Sequence, residues 1–182
     1  MGITMCILLK MTSTSRILAH YPWIKLPLIC NGPKRLIALS KLAVEVSKAG
    51  GIGFIGSGND QTNLETLLED SRKLLQDSPL PSAKGTLPIG VGFFNWGANL
   101  DTSLPLLQYF RPAAVWFFAP KTISNLAEWT QKTREVTDNA TKIWIQIGGV
   151  AEAVNVCKAC NPDVLVVQGT DAGGHGLNHE QV

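Results

Sequence analysis

A glycine-rich turn that holds one histidine is the part of this 182-residue sequence best suited to chemistry. It follows a short apolar run at residues 164–167 and reads Gln-Gly-Thr-Asp-Ala-Gly-Gly-His-Gly from Gln168 to Gly176. Glycines let main-chain N–H groups approach a planar or phosphorylated ligand closely, and histidine is well matched to proton transfer near neutral pH. The spacing leaves two interpretations of His175 open, a proton-transferring catalytic residue and a capping or structural residue.

Two other motifs resemble chemical sites, but their surroundings argue against that use. Residues 51–56 match the glycine spacing of a dinucleotide-binding loop, yet they follow a predicted helix and run through a predicted strand, whereas that loop must follow a strand and open a helix. Cys157 and Cys160 form a CxxC pair late in a helical segment, without a second pair of ligands. We expect helix-capping glycines, helix-packing cysteines and no metal site.

Composition and charge exclude several classes of function. Lys and Arg together number 16 and Asp and Glu number 14, and the net charge of +2 is too small to predict a nucleic-acid or membrane partner. No apolar run approaches the roughly 18 residues that a membrane-spanning helix needs. The four cysteines do not form a disulfide framework, and no secretory signal is recognisable. The sequence therefore predicts a cytoplasmic protein.

Strand and helix patterns alternate along the chain. Short apolar runs predict six strands, at residues 27–30, 52–55, 88–94, 114–118, 142–147 and 164–167. Apolar residues at helical spacing predict helices at residues 36–49, 63–75, 103–109, 123–136 and 150–159. This alternation indicates one α/β domain with a parallel sheet, either a doubly wound open sheet or a closed (β/α)₈ barrel.

On these residues the sequence resembles the nitronate monooxygenases, formerly called 2-nitropropane dioxygenases, which are FMN-dependent (β/α)₈ TIM barrels. The segment from Gln168 to His175 is similar to the family signature Q-G-x-[ED]-A-G-G-H. Three weaker similarities occur in the family's order: residues 27–33 resemble the first strand and its flavin-facing loop, residues 49–56 the second strand, and residues 146–153 the fifth strand and its helix. The resemblance covers nearly the whole chain and implies a TIM barrel of the FMN-dependent type.

The resemblance also implies roles for individual residues. His175 would be the base or the substrate-positioning residue. The implied FMN contacts lie at strand ends and in the glycine turn: Pro33, Asn95, Gln146, Gly148, Gln168, Gly169, Ala172, Gly173 and Gly174. The residue types alone leave simpler alternatives open, in which Asn95 makes a turn and the two glutamines bind buried main-chain groups.

Two departures from the family pattern bear on the site. Lys34 stands where the family usually has methionine, and its cation would favour an anionic reduced flavin if it points inward, or extend into solvent if it does not. A closed barrel needs eight strands, whereas this sequence predicts six. We therefore expect one partial barrel domain over residues 1–182, with an N-terminal extension at residues 1–21 and without strands seven and eight.

The resemblance supports three functional hypotheses. The first is FMN-dependent oxidation of alkyl nitronates or nitroalkanes by dioxygen, which yields a carbonyl compound and nitrite. The alternative enzyme is an FMN-dependent enoyl reductase of fatty-acid synthesis, which shares the barrel and much of the motif set. The third is an inactive fragment of such an enzyme. The physiological substrate and the oligomeric state, including a homo-oligomer, stay open.

Overall fold

The computed structural model describes residues 13–169 of the chain. Within these residues the elements, in order, are α1 Ser13–His20, α2 Ser40–Lys48, β1 Phe54–Gly58, α3 Leu64–Gln76, β2 Leu87–Phe94, α4 Leu100–Phe110, β3 Pro112–Phe118, α5 Ile123–Val136, β4 Lys142–Ile147, α6 Val150–Cys160 and β5 Val164–Val167. None of the helices in this range is long and apolar enough to cross a membrane.

The five strands of this range form one parallel sheet in the order β1-β2-β3-β4-β5. A helix follows each of the first four strands and returns the chain to the amino end of the next. A doubly wound sheet reverses its strand order at a switch point, whereas a barrel keeps spatial order equal to chain order. The described residues therefore form an incomplete α/β barrel, which decides between the two architectures that the sequence left open.

The first of the six predicted strands is reduced to a single bridge. Cys30 pairs with Ile52, and beyond it the side chain of Asn31 takes over the pairing with β1. Its Oδ1 accepts from the N–H of Phe54 and its Nδ2 donates to the carbonyl of the same residue, both at 2.9 Å. Pro27 and Pro33 flank this segment and have no N–H to give to a ladder. The prediction of six strands is thus corrected to five strands and a bridge.

The outer face of the sheet and the helices enclose the main hydrophobic core. Alternate strand residues point to this face because the side-chain period of a strand is two. The buried strand residues in this core include Ile89, Val91, Phe93, Val115, Phe117, Ile143 and Ile145. Trp129 of α5 inserts between two of them, with ring centroids 5.3 Å from Phe93 and 5.6 Å from Phe117. This aliphatic and aromatic layer holds the strands in place.

The inner face of the sheet is aromatic at its amino-terminal end and is closed there by the segment after α1. Tyr21 lies against Trp144 of β4, whose indole N–H donates to the tyrosine hydroxyl at 2.7 Å. Burial raises the pKa of Tyr21, so the hydroxyl stays neutral. Trp23 likewise donates its indole N–H to the carbonyl of Gly51 at 2.8 Å. Part of the expected N-terminal extension therefore contributes to the core of the barrel.

Candidate functional site

The carboxyl ends of parallel strands meet at one edge of a barrel, and this edge is where ligands bind in TIM-barrel enzymes. Six of the implied site residues lie on or just after a strand end, or on the loop that covers β1 and β2: Pro33, Asn95, Gln146, Gly148, Gln168 and Gly169. The remaining four, His175, Ala172, Gly173 and Gly174, lie outside the described residues. The geometry of the first six shows what the edge offers to a ligand.

Gln146 and Gln168 are brought together by a direct hydrogen bond. Gln146 is on β4 and Gln168 follows β5, and Nε2 of Gln146 donates to Oε1 of Gln168. Trp116 of β3 completes the group, because its indole N–H donates to Oε1 of Gln146 at 3.2 Å. Each glutamine therefore bonds a side chain rather than the buried main chain that the sequence left as an alternative. All three residues are half-buried, so the line of hydrogen bonds runs to the surface of the edge.

Trp116 is a residue of this group that the apolar pattern of β3 did not distinguish from a core residue. Strand alternation places Trp116 on the same face of β3 as Ala114, which belongs to the inner aromatic core. Its register partner across the sheet is Trp144 of β4, and their ring centroids lie 6.0 Å apart. A tryptophan on the inner face of a strand has an N–H group that can bind a ligand or position a neighbouring side chain.

Asn95 follows β2 and carries an unused amide. Its side chain is only 1% exposed, and among the described residues neither Nδ2 nor Oδ1 has a hydrogen-bond partner. Its main-chain N–H donates to the carbonyl of Phe118 at 3.0 Å, and the turn that the sequence left as an alternative is also present. An unpaired buried amide costs about 1–3 kcal/mol. Such a group is suited to a polar ligand or an ordered water.

Two glycines allow the loop after Cys30 to approach the inner face closely. A Cβ on Gly92 of β2 would lie 2.1 Å from Cβ of Pro33, and one on Gly56 of β1 would lie 2.4 Å from the carbonyl carbon of Lys34. Only the absence of both side chains leaves room for the loop. Lys34 itself is exposed, which favours the interpretation in which its ammonium extends into solvent.

Gly148 and Gly169, the other two implied contacts, do not take part in the hydrogen bonds of Trp116, Gln146 and Gln168. The N–H of Gly148 donates to Oε2 of Glu152 at 2.8 Å, so it is held by the first turn of its own helix α6. Gly169 is exposed, and nothing lies within 4 Å of the place where its Cβ would be. Among the implied contacts, the glutamine pair and Asn95 are therefore the ones that offer polar side-chain groups at the described edge.

The cysteines and the groove between α5 and α6 lie apart from the polar groups of the edge. Burial raises the pKa of the Cys30 thiol to about 11, and Cys157 and Cys160 are an exposed and a buried residue of α6. Between residues 13 and 169 no group of three His, Cys, Asp or Glu side chains is arranged to hold a metal. The groove between α5 and α6 is about 460 Å³ and is on the outer side of the sheet. Another pocket, of about 310 Å³, lies at the carboxyl end of β1, where Ser57 and the Arg35–Asp60 ion pair line it.

Known proteins resemble the chain in sequence and in fold. No family model matches it. Nitronate monooxygenase npaC of Metarhizium robertsii is 40% identical over 163 residues, and a nitronate monooxygenase of Neurospora crassa is 37% identical over 178 residues. These similarities cover 87% and 86% of this chain but 45% and 46% of the relatives. The chain thus spans about half the length of the curated relatives it matches.

A solved structure agrees with the architecture. A mutant of FabK from Thermotoga maritima matches with a TM-score of 0.64 and 25% sequence identity. The match covers 88% of this chain and 48% of that chain. The solved structure therefore resembles the chain over the same extent as the sequence relatives do.

Proposed function

Because the chain is a homologue of the nitronate monooxygenase family over nearly nine-tenths of its length, we propose that it oxidises alkyl nitronates or nitroalkanes. Dioxygen is the proposed oxidant, and a carbonyl compound and nitrite are the products. The relatives point to a flavin as the cofactor, and the signature from Gln168 to His175 makes FMN the proposed form. The whole activity, the small-molecule substrate and the cytoplasmic location belong to this proposal.

The observation that carries the proposal is the set of amides at the carboxyl edge. Gln146 and Gln168 meet there, and both side-chain amide atoms of Asn95 are unpaired within the described part of the chain. Hydrogen-bonding groups of this kind fit the polar atoms of a flavin. Gly56 and Gly92 let the loop that contains Pro33 pack close to the strands, so the loop forms one wall of the site. Pro33, Asn95, Gln146 and Gln168 would therefore hold FMN, and Gly148, Gly169, Ala172, Gly173 and Gly174 are proposed as further contacts.

The proposed division of labour follows from the chemistry of each group. When bound, FMN would supply the redox chemistry, since no protein side chain of this set transfers electron pairs readily. His175 would take the α-proton of a neutral nitroalkane or position the nitronate. The aromatic inner face beneath the edge, which includes Phe54 and Trp116 with ring centroids 5.2 Å apart, would exclude water from below.

The likeness to FabK supports the second hypothesis, an FMN-dependent enoyl reductase. The identity to the nitronate monooxygenases is higher, 40% and 37% against 25%, and it covers a similar share of the chain. The first hypothesis is therefore preferred, and the two differ in their co-substrates.

Visible absorbance and two assays test the proposal. The purified chain is titrated with FMN, and bound flavin is measured by absorbance and by quenching of flavin fluorescence. Nitrite release from propyl-2-nitronate in air is then compared with NAD(P)H-dependent reduction of an enoyl thioester. We expect flavin binding and nitrite release. Reduction of the thioester without nitrite would favour the second hypothesis, and the absence of flavin binding would contradict both.

A further inference from the structure

Trp116, Gln146 and Gln168 form a line of hydrogen bonds across three neighbouring strands, here called the amide relay. Trp116 donates to Gln146 at 3.2 Å, and Gln146 donates to Gln168. Each member lies two residues beyond the register partner of the member before it: Trp116 pairs with Trp144, and Gln146 pairs with Val166. The relay therefore crosses the inner face diagonally and ends at the carboxyl edge.

The chemistry of the three groups gives the relay one direction. An indole N–H is only a donor, so Gln146 must turn its oxygen toward Trp116. The NH₂ group of Gln146 then faces Gln168, whose side-chain oxygen must accept the hydrogen bond. The NH₂ group of Gln168 has no partner among residues 13–169 and is the free end of the relay there. A donor-only residue at one end thus determines that the other end is also a donor.

Packing holds the first member of the relay in place. The ring of Trp116 lies edge-on to Phe54 at a centroid distance of 5.2 Å and tilted against Trp144 at 6.0 Å. These contacts restrict rotation of the indole, so its N–H keeps pointing at Gln146. The direction of the relay is therefore built into the aromatic part of the inner face.

We propose that Trp116 is a positioning residue that orients both glutamines so that Gln168 presents an N–H donor to the ligand. The site then selects a ligand that places an acceptor at this point, such as a carbonyl, a ring nitrogen or an anionic oxygen. That this ligand is FMN rests on the proposed function. The direction of the relay does not depend on the ligand.

Two substitutions change the direction in different ways. Gln146→Glu introduces a side chain that only accepts, so Gln168 must turn its NH₂ inward and its oxygen toward the ligand. We expect FMN and riboflavin to bind roughly 10- to 100-fold more weakly, because an acceptor then faces an acceptor. Trp116→Phe keeps the ring packing but removes the donor, so both orientations of Gln146 become accessible and affinity falls by roughly 3- to 10-fold.

The matched control is Trp23→Phe. This change also removes an indole donor from the aromatic inner face, but the lost bond goes to the carbonyl of Gly51 at the amino-terminal end. It should lower stability without changing flavin affinity. Riboflavin lacks the phosphate, so a loss confined to FMN in Gln146→Glu would indicate charge repulsion instead of a reversed relay. An equal loss of affinity in Trp23→Phe and Trp116→Phe would likewise overturn the proposal.

A second measurement determines the direction of the hydrogen bonds in the relay in the absence of any ligand. In the ¹⁵N-labelled chain, hydrogen exchange of the side-chain NH₂ groups should be slow for Gln146 and fast for Gln168. In Gln146→Glu the NH₂ of Gln168 should become slow. Slow exchange at Gln168 in the unsubstituted chain, or no change in the variant, would contradict the relay. The expected exchange pattern in a chain that binds no flavin would contradict the proposed function alone.

Discussion

Each end of the inner sheet face contains a tryptophan hydrogen bond, which helps to close the amino-terminal end but orients an open site at the carboxyl end. At the amino-terminal end Trp144 donates to Tyr21, both residues are buried, and Trp23 closes the face from below. At the carboxyl end Trp116 donates to Gln146, and the bonds continue to a half-buried amide. Trp116 and Trp144 are register partners on adjacent strands and lie at the same level of the sheet. One indole N–H bonds Tyr21 at the closed end, and the other bonds Gln146, which lies two residues beyond Trp144 toward the open end.

This difference shows how a parallel barrel separates stability from function. All strands begin at one end and finish at the other, so one end is free to be packed and the other to bind. The amino-terminal polar groups are paired within the protein, which makes that end stable in the absence of a ligand. The unpaired amide of Asn95 at the carboxyl end lowers stability until a ligand or water satisfies it.

The largest expected effect concerns His175 of the glycine-rich turn. His175→Asn should lower the turnover of neutral nitroalkanes by roughly 10²–10⁴, the usual contribution of a positioned acid or base. A preformed nitronate has already lost its α-proton, so its oxidation should be affected much less. Nitrite release is measured on both substrates. Equal losses would remove proton abstraction from the role of His175.

Gly92→Ala should be the most damaging change in the described part of the carboxyl end. The new Cβ would lie 2.1 Å from Cβ of Pro33, so the loop must move away from β2. We expect a stability loss of about 1–3 kcal/mol and at least tenfold weaker FMN binding. Gly32→Ala in the same loop is the control, since nothing lies within 4 Å of its Cβ position. Equal behaviour of the two variants in thermal unfolding and FMN titration would refute the close approach.

The amino-terminal end should respond to substitution in stability alone. Trp23→Phe leaves the buried carbonyl of Gly51 without its indole donor, and we expect the free energy of unfolding to fall by about 1–2 kcal/mol. Chemical denaturation measures this loss. The flavin affinity of the folded protein should not change. A weaker flavin complex would show that the two ends are coupled, and the comparison would then fail.

Lys34→Met should have the smallest effect. The side chain is exposed beside the site loop, and a strongly hydrated ammonium resists burial against an apolar ring edge. Flavin affinity should therefore stay within a few-fold of its original value in a titration. A gain of tenfold or more would indicate that lysine at this position impairs binding.

Helices and strands were predictable where the spacing of apolar residues was regular. Their first and last residues differ from the prediction where strand pairing or a side-chain hydrogen bond sets the boundary. Helix α5 and strands β4 and β5 have the predicted bounds. The second strand was predicted at residues 52–55 but extends over Phe54–Gly58, because its limits are set by pairing with β2 rather than by its own apolar residues. The first strand shortened to a bridge because Asn31 pairs with β1 through its side chain.

Parts of the site were also visible in the sequence. The strand-end positions of Gln146 and Gln168, and the signature that begins at Gln168, indicated a ligand edge before any geometry was known. Trp116 was missed because an aromatic residue inside an apolar strand is indistinguishable by pattern from a core residue. The burial of Asn95 was likewise invisible, since asparagine before Trp-Gly is typical of an exposed turn.

Local patterns along the chain were sufficient for the alternating elements, the parallel sheet, the strand ends that carry polar residues and the family resemblance. Each depends on neighbours in sequence, and side-chain periods of 2 and 3.6 residues make them readable. The barrel order of the strands, the closure of the amino-terminal end by Tyr21 and the joining of Trp116 to Gln146 required the folded chain. The two hydrogen bonds join residues 30 and 123 positions apart, and the register between strands decides which side chains meet.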